Sequence, residues 1–164
     1  MTTVTLPAVP PPPEARAGAR RLPLPGEYTV APGRSLVELT AWYGPLPTLR
    51  RRIALADASL TVPEDTELPS FRFEFDDPRL TATLASEQVE SFAGGRRLQL
   101  SGDLGIDGTA FPVLLRLRVV EHADDRLLVV GTAALPYRLL RRATGFRVAR
   151  PATRLRLLVA AEFA

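Results

Sequence analysis

The dipeptide Asp107-Gly108 sits between two runs of alternating apolar and polar residues, and no other stretch restricts the fold as tightly. Before it, Leu98, Leu100, Leu104 and Ile106 hold the even positions, with Gln99, Ser101, Asp103 and Asp107 at odd ones. After it, Val113, Leu115, Leu117 and Val119 alternate with Leu114, Arg116, Arg118 and Val120. A period of two sends successive side chains to opposite faces of a strand, so each run has one face to bury and one to wet. Asp-Gly is a strong two-residue hairpin signal because the turn needs backbone angles that glycine tolerates. Residues 97–121 are therefore expected to form an antiparallel hairpin with Arg116 and Arg118 outside.

The same alternation recurs along the chain. Phe71, Phe73 and Phe75 interleave with Arg72, Glu74 and Asp76, and Val37, Leu39 and Ala41 lie opposite Glu38 and Thr40. Residues 28–30 and 35–43 read as strands around a Pro32-Gly33 turn. Trp42 falls on the outer parity unless a bulge intervenes, and is expected to plug a barrel end. Residues 53–62 form another strand with a bulge near Ala58-Ser59, and residues 80–92 a strand pair broken near Glu87. In 127–137, Leu127, Val129, Gly131, Ala133 and Leu135 share a parity, and the small Gly131 and Ala133 suggest room inside. Residues 139–146 are a short helix or a loop ended by Gly145. In 153–163, Leu155, Leu157, Val159 and Phe163 point in while Arg154, Arg156 and Glu162 point out. About eight short strands without a long amphipathic helix predict an all-β fold, a single antiparallel barrel. Residues 1–25 hold seven of the 16 prolines and are expected to be a disordered, proline-rich tail before a barrel domain at 26–164.

The pattern Gly102-Asp103-Leu104-Gly105-Ile106-Asp107-Gly108 through Pro112-Val113 resembles the central hairpin of YceI-like proteins. Gly26 to Val30 followed by Ser35 to Leu39 is similar to that family's opening strands. The resemblance implies a lipocalin-like barrel holding a polyisoprenoid or other long lipid. The sequence departs from the family in three places. Arg34 stands where a histidine is usual, a segment between Phe75 and Ala82 is missing, and a late arginine motif is echoed only by Arg138.

The chemistry of catalysis is sparse. The chain has 164 residues, enough for one domain with a real core. It has no cysteine and one histidine, so a thiol nucleophile and a transition-metal cluster lack their side chains. His122 lies beside a predicted turn, and Asp76 and Asp77, being adjacent on a strand, face opposite ways. No glycine-rich phosphate loop occurs. The expectation is a protein that is not an enzyme, with no catalytic residue, no metal and no cofactor. All 21 basic side chains are arginine, yet the net charge is only +3. No apolar run reaches the roughly 18–20 residues of a membrane helix, and the N-terminus lacks the apolar core of a secretory signal, so a cytoplasmic location is expected. The abundance of Ala, Arg and Pro suits GC-rich, bacterial coding.

Two readings of function remain. In the first, the barrel interior binds an apolar lipid or isoprenoid ligand. Its lining is expected from Val37, Leu39, Phe71, Phe73, Phe75, Leu115, Leu117, Val119, Gly131, Ala133, Leu155, Leu157 and Val159, with Arg34 and Arg138 as head-group candidates. In the second, the interior is filled and an arginine-rich face meets an acidic partner, because eight arginines and no acid fall between Asp125 and Glu162. Nucleic acid is not expected, since clustered aromatics for base stacking are not evident. A homodimer stays open.

Overall fold

Nine strands and one helix account for nearly all of the chain described by the computed structural model, which covers residues 22–64, 68–78 and 80–164. The strands are β1 (Gly26–Tyr43), β2 (Leu46–Ile53), β3 (Leu55–Val62), β4 (Ser70–Asp77), β5 (Leu80–Phe92), β6 (Arg97–Ile106), β7 (Thr109–Ala123), β8 (Arg126–Leu135) and β9 (Arg154–Phe163). The helix α1 (Tyr137–Thr144) lies between β8 and β9. Each strand from β3 to β9 pairs antiparallel with the next, and β9 returns to pair with β1. β2 and β3 both run antiparallel to β1, Val37 facing Ile53 and Tyr28 facing Leu60. Together they act as one strand broken at Ala54, so the sheet is a closed, eight-stranded, lipocalin-like barrel.

The central hairpin forms as its alternation predicts. Ile106 pairs with Thr109 around Asp107 and Gly108, whose φ angles are 49° and 76°. Both are left-handed, the requirement of a type I′ turn. Other local signals play different roles from those expected. Pro32-Gly33 makes no turn: β1 runs on through it, with a register shift between Val30 and Ser35 and Gly33 at φ 71°. The resulting kink lets one strand pair with β3 at its start and with β2 at its end. Residues 80–92 form one strand, and the irregularity near Glu87 is a bulge between Ser86 and Gln88. The irregularity expected at Ala58-Ser59 lies instead between Leu55 and Asp57, and Ala58 is a regular buried position.

The inward rows of all strands merge into one apolar core. Phe71, Phe73 and Phe163 form its aromatic centre, with ring centroids 5.7–6.3 Å apart. Both barrel ends are covered. At one, Leu22 packs against the core and Pro23 is buried, while the Leu24 amide donates to the Asp124 carbonyl at 2.9 Å. Tyr28 Oη donates to the Leu24 carbonyl at 2.6 Å, and His122 Nε2 lies 3.0 Å from the Leu22 carbonyl. Residues 22–25, expected in the tail, are thus fastened to the barrel; residues 1–21 lie outside the described residues. At the other end α1 buries Tyr137 and Leu140, and Phe146 and Val148 pack on the core behind it. Gly145, at φ 72°, ends the helix and its amide donates to the Arg141 carbonyl. Arg141 and Arg142 in the last turn oppose the negative end of the helix dipole.

Candidate functional site

The side chains expected to line a ligand tunnel all face the interior, where they touch one another. Val37, Leu39, Phe71, Phe73, Phe75, Leu115, Leu117, Ala133, Leu155, Leu157 and Val159 are at most 4% exposed, and Val119 is half-buried at the rim. Gly131 does not mark an open space. A methyl group there would collide with the Arg116 carbonyl and with Leu117 Cδ2, so the room glycine leaves is filled by the neighbouring strand. Phe73 and Phe163 add bulk where a lipid tail would run. Three phenylalanines bury roughly 150–250 Å² each, which is enough to stand in for much of an acyl chain.

The two head-group candidates are not brought together. Arg34 sits in the kink of β1, exposed, 3.8 Å from Glu162 Oε2, while Arg138 is exposed on α1 at the opposite end. At the α1 end a recess of about 30 Å³ lies among Leu39, Leu49, Ile53, Leu80, Phe146 and Val148. Arg51 Nη2 reaches Asp77 Oδ1 at 3.4 Å beside it. Asp77 is buried and Asp76 exposed, as their adjacent strand positions require. Among the described residues no group of three metal-ligating side chains assembles.

Two concavities lie on the outside wall over β6 to β9. One of about 700 Å³ is bordered by Phe92, Arg97, Arg118, Val130 and Leu158; a second of about 410 Å³ is bordered by Trp42, Leu114 and Arg154. They share Arg116, Thr132 and Arg156, so they form one continuous groove. Strand register creates it. Arg97 pairs directly with Arg118, Arg116 with Gln99 and Thr132, and Arg156 with Ala134 and Thr40. From the Arg118 row to the Arg154 row the groove runs about 20 Å along the strands, at roughly 3.3 Å per residue.

The carboxylates around this groove are engaged elsewhere or set to one side. Glu38 Oε1 is 3.1 Å from Arg50 Nε, Glu90 accepts from the Gln88 side-chain amide, and Glu121 and Glu162 hold Arg126. Arg97, Arg116, Arg118, Arg154 and Arg156 make no ion pair among the described residues. Partner strands thus supply carboxylates to Arg126, and among the described residues the rest of the 126–156 arginine series makes no ion pair. Trp42 does not plug the barrel. It is half-buried on the outer wall, with the Arg154 guanidinium 5.1 Å above its ring. The pairing of Arg97 with Arg118 follows from the two-residue Asp107-Gly108 turn by counting ten residue pairs outward, a signal that a reading of each strand's alternation alone passes over.

No family model matches the chain, and no curated protein matches it. Among solved structures it is similar to BcnA of Burkholderia cenocepacia, with a TM-score of 0.53 and 14% identity, over 82% of this chain and 98% of that one. That likeness establishes the barrel fold. The YceI-like membership expected from the central hairpin is not confirmed. Among the described residues no helix is long and apolar enough to cross a membrane.

Proposed function

We propose that this protein is a non-catalytic binding barrel that holds an acidic protein segment along its arginine-lined wall. The observation that carries this reading is the like-charged pair Arg97–Arg118, which continues into Arg116 and Arg156 with no carboxylate opposite. Like charges directly across a strand pair are destabilising, so an anion on this wall would relieve a cost the fold otherwise bears. Leu114, Val130 and Leu158 lie between the arginines, which suits carboxylates interleaved with apolar side chains. A nucleic-acid strand fits less well, because Phe92 and Trp42 stand at the two ends and Arg154 already covers Trp42. The test is fluorescence anisotropy with a labelled ten-residue peptide of alternating Glu and Leu. Saturable binding that weakens with salt, and weakens by about tenfold in Arg116→Ala/Arg118→Ala, is expected. Equal binding by the double variant would refute it.

A second reading is supported by the apolar recess beside Arg51 and Asp77, which lies over the core at the α1 end. Here a lipid or isoprenoid chain enters the barrel as α1 and residues 146–149 lift away. Displacement of a fluorescent fatty-acyl probe, insensitive to the wall substitutions, would favour this reading over the first.

A further inference from the structure

A second basic surface lies on the barrel end that α1 covers, separate from the wall groove. Arg138, Arg141, Arg142, Arg147 and Arg150 fall within thirteen residues, all exposed, and none makes an ion pair among the described residues. Among the described residues the acids of this end are Asp76 and Asp77, which close β4, and Asp107 in the β6–β7 turn. Asp77 is engaged by Arg51, and Asp107 borders a hollow with Arg147. The excess of positive charge at this end therefore persists.

Apolar side chains stand out from the same end. Leu139 on α1 is 55% exposed, and the β1–β2 turn presents Tyr43 at 57% and Leu46 at 66%. Tyr43 shares a concavity with Tyr137, Arg141, Arg147 and Arg150, so the turn and the helix form one surface. The orientation of α1 follows from its sequence. Tyr137 and Leu140, three apart, anchor one face in the core and leave Arg138, Leu139, Arg141 and Arg142 pointing away.

We infer that this end docks on an anionic lipid bilayer, with the arginines at the phosphate level and Leu139, Tyr43 and Leu46 dipping below it. Guanidinium groups pair bidentately with phosphates, and exposed apolar tips ringed by basic residues gain from the headgroup–acyl boundary. An acidic peptide would match the charge but not three apolar tips projecting from separate elements. A bilayer accepts such tips wherever they emerge.

The experiment is co-sedimentation of the full chain with phosphatidylcholine vesicles, with and without 30% phosphatidylglycerol. Binding is expected only with phosphatidylglycerol, and is expected to fall as salt rises. Arg138→Gln/Arg141→Gln/Arg142→Gln changes only exposed side chains, so the fold should survive by circular dichroism, while vesicle binding weakens by at least about tenfold. Leu139→Ser should weaken the binding that remains at high salt. The wall variant Arg116→Gln/Arg118→Gln should keep vesicle binding within about twofold of wild type. Equal binding to both vesicle types, retained binding by the triple variant, or a loss in the wall variant as large as in the triple variant would each overturn the assignment.

Discussion

Gly131 shows how one position can mislead about an interior and then govern it. Its missing side chain is occupied space, closed by the Arg116 carbonyl and Leu117 Cδ2. Gly131→Ala is expected to lose about 2–3 kcal/mol in denaturant unfolding, at the upper end of ordinary overpacking, because the obstruction includes backbone. Leu117→Asp places a carboxylate where Leu117 is 2% exposed and is expected to unfold the domain, an unpaired buried charge costing several kcal/mol. An unchanged melting temperature in either variant would contradict the packing. Arg118 behaves the opposite way. Arg118→Glu sets a carboxylate opposite Arg97 and should raise stability by about 0.2–1 kcal/mol. The same change should weaken binding of the Glu–Leu peptide, separating the wall's cost to folding from its use.

At the scale of elements, β1 and the segment before it carry the closure of the barrel. β1 pairs along one edge with β3 and then β2 and along the other with β9, whose ladder continues on both sides of the kink at residues 31–34. Residues 22–25 then tie the chain to the β7–β8 turn through Leu24 and Tyr28. Removing residues 1–21 should leave the melting temperature nearly unchanged, since their prolines cannot join the ladder. Removing residues 1–25 deletes three hydrogen bonds and the packing of Leu22 and Pro23, an expected loss of about 2–4 kcal/mol. Equal melting temperatures for the two truncations would show that the fastening contributes nothing.

For the whole molecule, the relevant contrast is between inside and outside. An eight-stranded barrel is about the size at which side chains alone fill the interior or one small ligand fits. Phe71 and Phe73, stacked, with Phe163 edge-on to both, put bulk in the centre of this barrel. Phe73→Ala should therefore cost about 3–5 kcal/mol, and should also open space at the centre of the core. Binding of a fatty-acyl probe to the folded variant but not to the wild type, followed by fluorescence, is the expected outcome. Equal saturable binding by both would place a ligand site in the natural interior.

In the strands that alternate cleanly, such as β4, β6, β7 and β9, the pattern by itself determined which side chains go in, because a period of two leaves no other way to bury one face, whereas β2 has no such pattern and was not legible as a strand. The Asp107-Gly108 turn and the stop at Gly145 were also legible, since both depend on local backbone angles, while the choice between helix and loop before Gly145 was left to the structure. Tertiary structure alone decided the rest. Whether Pro32-Gly33 turned or kinked depended on β9 being there to continue the ladder. Whether Gly131 meant space or contact depended on how closely β7 lies against it. The arginines of the wall were legible as outward residues, but their grouping was not. Arg97 meets Arg118 because the two-residue turn counts out the hairpin register, but Arg116 lies over the same groove as Arg156 only because the registers of β7, β8 and β9 align them, and that alignment is a property of the closed sheet.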